Sequence, residues 1–260
     1  MPLVNCSKDR GVAVFELAAP PANTYSYEMM KELDAAILDA RMDESVHVLV
    51  ITGAGEKFFC AGADINTLNR ATPEFKYSFC LHANETLNRL EQTPKLVIAA
   101  LNGHTVGGGL EVALAADLRV ARRDGGKIGL PEVKLGVLPG TGGTQRLARL
   151  LGRSRAIEMM VTGNLMSFDE AHARGLVNVV LDGDRFRDSV REYAAEFVPP
   201  KKASKAVGAI KRSVNSGLEA ALAEGLALER ELQQQLFLSR DAREGISAHV
   251  EKREPKFQGS

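Results

Sequence analysis

The sequence predicts an α/β fold with a helical C-terminal appendage. Three observations carry that prediction. Short β-branched apolar runs alternate with amphipathic helical stretches through the first half of the chain. Glycine-rich turns join them. After about Asp184 the composition becomes alanine- and charge-rich, with helical spacing and only short interruptions.

Taken in order, Gly11–Leu17 reads as a strand, broken by Pro20-Pro21-Ala22-Asn23-Thr24. Tyr27–Met42 reads as an amphipathic helix, with Met30, Leu33, Ile37 and Ala40 on one face. Val46–Thr52 is a buried strand closed by Gly53-Ala54-Gly55. Pro73 opens a longer helix whose apolar face is Phe75, Phe79, Ala83, Leu87 and Leu90. Leu96–Leu101 is a second buried strand, followed by a glycine loop, a helix from about Gly109 to Ala116 and a strand at Leu118–Arg122. Gly125–Gly143 is rich in glycine and proline and is expected to loop around a site. Helices are expected at Ala203–Val214, Leu218–Leu238 and Arg240–Lys252. The shift in composition near Val198-Pro199-Pro200 divides an α/β core, 1–198, from a helical appendage, 199–260.

Composition narrows the function. The 260 residues are 45% hydrophobic and 25% charged, ordinary for a globular protein. Lys+Arg and Asp+Glu are both 33, so no broad basic field is available for nucleic acid. Cys6, Cys60 and Cys80 are an odd set without close pairs, which points to reduced thiols and a cytoplasmic home. No Cys/His cluster has zinc-ligand spacing, and no metal or redox cofactor is signalled. The first residues carry no secretory or transit pattern, and the longest apolar runs are too short to span a membrane.

Two glutamates carry the chemistry. Glu111 follows Gly107-Gly108-Gly109-Leu110, and Glu132 follows Gly129-Leu130-Pro131. A carboxylate in apolar surroundings is costly without a partner or a task. Two in one dry pocket suit acid/base work, because burial and repulsion separate their pKa values. They lie 21 residues apart, so the fold must bring them together. The competing reading makes Glu111 a structural carboxylate paired with an arginine and Glu132 a turn cap.

The glycine loops fail the nucleotide tests. Gly103–Gly109 does not give G-x-G-x-x-G, and Gly109 stands where a P-loop needs lysine; Gly140-Thr141-Gly142-Gly143-Thr144 lacks that lysine too. Such loops can instead turn backbone N–H groups toward a developing oxyanion. The loop after Phe58-Phe59-Cys60, with its small residues, is a second source of such donors.

Ala61-Gly62-Ala63-Asp64-Ile65, Asn102-Gly103 through Glu111, Leu130-Pro131-Glu132 and Pro139-Gly140-Thr141-Gly142-Gly143-Thr144-Gln145-Arg146-Leu147 resemble, in order and spacing, the crotonase (enoyl-CoA hydratase/isomerase) superfamily. So do Glu251-Lys252-Arg253, Pro255 and Phe257 at the end of the chain. The likeness runs from about Gly11 to Gly259. It implies a spiral of ββα units followed by a helical trimerisation region. It also implies an acyl-CoA thioester substrate, no cofactor beyond that coenzyme A, and a homo-oligomer, a trimer or a dimer of trimers.

By the same resemblance, the N–H groups of Ala63 and Gly108 form an oxyanion hole. Glu111 orients the attacking water and Glu132 handles the α-carbon proton. Ala61, Asp64, Ile65 and Asn66 line the CoA, and Lys252 approaches its phosphates from a neighbouring subunit. Isomerases of the family usually keep only the second glutamate, so the presence of both favours hydration of a 2-trans-enoyl-CoA in fatty-acid or branched-chain acyl breakdown. The alternatives are a Δ3,Δ2-enoyl-CoA isomerase, a methylglutaconyl-CoA-type hydratase and a non-catalytic RNA-binding member. One departure stands out: where the family usually has Ala-Leu after the asparagine, this chain has Thr24-Tyr25.

Among the remaining candidates, Asp64 is expected to hold its loop, and His104 and Cys60 to be packing residues. Arg146, with Arg149, Arg153 and Arg155, is expected to form a solvated or interface helix face. Met29, Met30, Met159 and Met160 are expected in the core.

Overall fold

A computed structural model describes residues 1–260. Each early turn of the chain contributes one strand to each of two sheets. The first sheet holds β1 (Val4–Asp9), β2 (Val12–Leu17), β3 (Val48–Gly53), β5 (Leu96–Leu101), β7 (Leu118–Arg122) and β10 (Val179–Leu181), side by side in that order. Only β1 is antiparallel to its neighbour. The second sheet holds β4 (Phe58–Cys60), β6 (His104–Val106), β8 (Lys127–Gly129) and β9 (Met166–Ser167), the first three parallel.

The inner strands β2, β3 and β5 are apolar on both faces because both are covered, whereas β1 at the edge buries only Val4. Alternation sorts their side chains. Phe15, Leu49, Ile51, Val97 and Ala99 enter the main core, while Val48, Val50, Ile98, Ala100 and Val120 face a second cluster with α8 (Phe186–Ala195). Helix α1 (Tyr27–Met42) is capped by Ser26, whose side chain accepts from Met29 N at 3.2 Å, and buries Met30, Leu33, Ile37 and Ala40 as its spacing predicts. Residues Ile65–Arg70 form the short α2. Helix α3 (Pro73–Glu91) starts on its proline behind the Thr72 cap. Its inner face runs through Phe79, Ala83, Leu87 and Leu90, but Phe75 at its start is exposed.

Helix α4 (Gly108–Leu114) is held at its far end by Arg119, whose guanidinium donates to the carbonyls of Ala116 at 2.8 Å and Leu176 at 2.7 Å. A third acceptor, Ala113 O at 3.4 Å, lies in the last turn of α4. Gly125–Gly143 is not all loop: it contains β8 and a 3₁₀ turn at Glu132–Leu135 before α5 (Gly143–Leu151). Helices α6 (Arg153–Thr162) and α7 (Phe168–Ala173) lead back to β10. The C-terminal stretch is α9 (Ser204–Gly217), α10 (Leu222–Phe237) and α11 (Arg240–Glu251). Helix α9 lies against the core: Lys211 pairs with Asp117 at 2.9 Å, both largely buried, and a Cβ at Gly208 would strike the backbone carbonyl carbon of Pro94 at 3.1 Å. No helix is long and apolar enough to cross a membrane.

Arg146 departs from the expected solvated or interface face. Its side chain is 12% exposed and binds Glu91 at 2.9 Å and Asn88 at 2.7 Å. It therefore ties α5 to α3 rather than decorating the surface. Arg149, by contrast, makes an exposed pair with Glu219 at 2.8 Å.

Candidate active site

Strands β4, β6 and β8 are parallel neighbours, so their C-terminal ends lie side by side. The loops leaving them carry Ala61–Asp64, Gly107–Glu111 and Leu130–Glu132. This register brings together the two glutamates that sequence keeps apart. The Gly107 N–H donates to Gly129 O at 2.9 Å, joining the second loop to the third. A Cβ at Gly62 would lie 3.0 Å from Gly108 N, and one at Gly107 would lie 3.0 Å from Glu132 Oε1.

Two backbone donors at this junction are unengaged. Ala63 N–H makes no hydrogen bond in the protein. Gly108 N–H opens α4 and has no acceptor within that helix, whose other early donors add positive potential. The segment before α1 clamps the first of these loops. Tyr25 N donates to Gly62 O at 2.9 Å, Ala61 N donates to Ala22 O at 3.0 Å, and the Asn23 amide donates to Ala54 O and Phe58 O, each at 2.9 Å.

Glu111 is 2% exposed and has no arginine partner. Its Oε1 accepts from Thr141 N at 2.7 Å and Gly143 N at 2.8 Å, and its Oε2 accepts from the Thr141 hydroxyl. The carboxylate therefore sits at the N-terminus of α5, reached through Gly142 in the left-handed region at φ +108°.

Glu132 contrasts with it. Half-buried at the start of the 3₁₀ turn, it has a buried Oε2 with no hydrogen-bond partner in the protein. Burial, with a smaller push from Glu111, raises its pKa to about 7. One carboxyl is thus held by three donors, and the other has a buried oxygen without a partner. Such separation lets two like groups take different roles.

Of the other predicted site residues, Asp64 caps α2, accepting from Thr67 N at 2.7 Å. Ile65 is 57% exposed at the start of that helix, followed by Asn66. Lys252 is an exposed residue at the C-cap of α11, with φ +56° and no ion pair within its own chain. His104 accepts from Lys127 N at 3.1 Å and packs on Phe58, and Cys60 is fully buried with its thiol pushed up to about 12. Thr141 and Gly143, which hold the Glu111 carboxylate, were quoted in the sequence only as part of a motif. Their signal was the same glycine loop that failed the phosphate test.

The family model for enoyl-CoA hydratase/isomerase matches residues 7–260. The chain belongs to that family. Among its relatives, the short-chain-enoyl-CoA hydratase of Clostridium acetobutylicum is 37% identical over 97% of this chain and 95% of its own. The crotonyl-CoA hydratase of Syntrophomonas wolfei is 34% identical over 96% and 95%. An enoyl-CoA hydratase structure from Geobacillus kaustophilus superposes with a TM-score of 0.97 at 48% identity, covering 100% of this chain and 98% of the other. The protein is therefore an enzyme of the enoyl-CoA hydratase/isomerase family, and the crotonase-like spiral expected from its motifs is the fold observed.

Proposed function

We propose that this protein hydrates the double bond of a 2-trans-enoyl-CoA to give a 3-hydroxyacyl-CoA. The observation that carries the reading is the meeting of two dissimilar carboxyls beside two unengaged backbone donors. The thioester oxygen is bound by the N–H groups of Ala63 and Gly108. A water lies between Glu111 and Glu132. Glu111 accepts a proton from that water as its oxygen bonds to C3. The π electrons move onto the thioester oxygen, where the two donors meet growing negative charge. Each such donor contributes roughly 3 kcal/mol of barrier lowering. The enolate then collapses, and the proton on Glu132 forms the new C2–H bond. A pKa of about 7 suits a carboxyl that must give up a proton in one direction and take one in the other.

CoA would run along Ala61–Asn66, with Asp64 contributing through its capped loop rather than its carboxylate. An isomerase needs only Glu132, so Glu111→Gln separates the readings. For a hydratase, crotonyl-CoA hydration, followed as loss of the conjugated thioester absorbance, should fall by at least about 10²-fold in that variant. A variant that hydrates at the wild-type rate defeats the assignment.

We also infer a homo-oligomer, trimer-based, in which Lys252 of one subunit reaches the CoA phosphates of another. Leu218, Leu222, Leu238 and Val250 on the C-terminal helices are each more than 70% exposed, an expensive display for a monomer. Sedimentation velocity should show a trimer or larger species, reduced to monomer by Leu218→Asp with Leu222→Asp. Wild-type protein that sediments as a monomer refutes this assembly.

A further inference from the structure

Tyr25 is 3% exposed. It touches three parts of the site by three different means. Its main chain brackets Ala63, donating from N to Gly62 O at 2.9 Å and accepting at its carbonyl from Asp64 N at 3.4 Å. Its ring lies against the first residue of α4, so that a Cβ on Gly108 would sit 2.7 Å from the phenol Cζ. Its hydroxyl is 3.2 Å from Thr141 Oγ1, the atom that also binds Glu111 Oε2.

The protons can be counted. A threonine hydroxyl has one proton and accepts through its lone pairs. When that proton goes to Glu111, Thr141 Oγ1 must accept from Tyr25, and Tyr25 has no other hydrogen-bond partner for its hydroxyl. Burial, then the neighbouring Glu111, holds the Tyr25 pKa well above its ordinary value, so the phenol keeps the proton it donates. Phe79 closes the other side of the ring, with centroids 5.7 Å apart.

Resting on the hydratase reading, we infer that Tyr25 is a positioning residue for the reaction. Its hydroxyl orients Thr141 so that Thr141 donates to Glu111, and its ring and main chain fix the Gly108 and Ala63 donors relative to that carboxylate. Without the Tyr25 hydroxyl, Thr141 is free to rotate away, and Glu111 loses the donor that sets the direction of its water-facing oxygen.

The test compares Tyr25→Phe, Thr141→Val, Thr141→Ser and the Tyr25→Phe/Thr141→Val pair on crotonyl-CoA. Tyr25→Phe keeps the ring and should lower kcat about tenfold with KM within about twofold. Thr141→Val should lower kcat at least as much, and Thr141→Ser, which retains the donor, should recover most of it. The double variant should be no slower than Thr141→Val alone, because both remove one connected unit. A packing role alone would leave the Tyr25→Phe kcat at the wild-type value, or make the two losses add; either result overturns the inference. Wild-type protein that turns over no acyl-CoA thioester overturns the hydratase reading and this inference together, whereas an active wild type with an unaffected Tyr25→Phe overturns this inference alone.

Discussion

Glu132→Gln should lower kcat for enoyl-CoA hydration by about 10³-fold while leaving KM nearly unchanged. Glutamine has the size of the carboxyl but cannot pass a proton to C2, so the loss falls on the chemical step and not on binding. The pH profile should change as well. Burial sets the Glu132 pKa at about 7. Hydration starts with one proton held by the carboxyl pair, and it ends with one proton still on the pair. The overall equilibrium therefore involves no proton, and hydration and dehydration must share one pH dependence. In the wild type, kcat/KM in both directions should fall about tenfold per unit above pH about 7. That limb should be missing from Glu132→Gln. Opposite limbs in the two directions, or an unchanged limb in the variant, would contradict the role assigned to Glu132.

Stability should move with the same group. The folded-state pKa of Glu132 is raised, so folding favours its neutral form. Its contribution is fully present below the ordinary carboxylate range and is lost as pH rises through about 7. Melting temperatures should therefore show Glu132→Gln gaining on the wild type between pH 5 and pH 8. Equal differences at both values would show that Glu132 is not held in an environment hostile to charge.

The parts of this fold that were legible in the sequence are those with enough residues to show a period. Tyr27–Met42, Leu96–Leu101 and Leu118–Arg122 stand where spacing and apolar runs place them. The second sheet was not legible. Its strands are two or three residues long, and three residues cannot display alternation. They exist because successive turns of the chain deliver them next to one another. β1 was also missed, since only Val4 of Val4–Asp9 is buried and its pairing with β2 is an edge interaction. The site divides in the same way. Glu111 and Glu132 announce themselves because a carboxylate among glycines and aliphatic residues is costly. Thr141 and Tyr25 do not, because a hydroxyl is cheap to place anywhere. Only the structure shows that one of them binds Glu111 and the other binds the first.

Gly109→Ala should damage this enzyme more than any other single methyl group added near the site. A Cβ on Gly109 would run into the Cys60 carbonyl oxygen, with the carbonyl carbon at 2.7 Å and the Cys60 Cβ at 3.0 Å. The obstacle is backbone at the end of β4, and Cys60 is fully buried, so no flexible side chain can move aside. Alanine improves helix propensity by about 1 kcal/mol over glycine. Overpacking of this kind costs roughly 1–3 kcal/mol or more, and here it acts on two main chains at once. Overpacking wins, and the urea midpoint should fall. The functional loss should exceed the stability loss. The contact being forced apart is the one that sets Gly108 beside the Ala61–Ala63 loop, so α4 must shift away from β4 and widen the gap between the two N–H donors. An oxyanion donor displaced from its place costs about 10²–10³ in kcat. Folded Gly109→Ala protein, checked by circular dichroism below its melting temperature, should therefore be slowed by at least about 10²-fold. If it instead retains wild-type kcat, the close packing of α4 on β4 is not what holds the two donors in register.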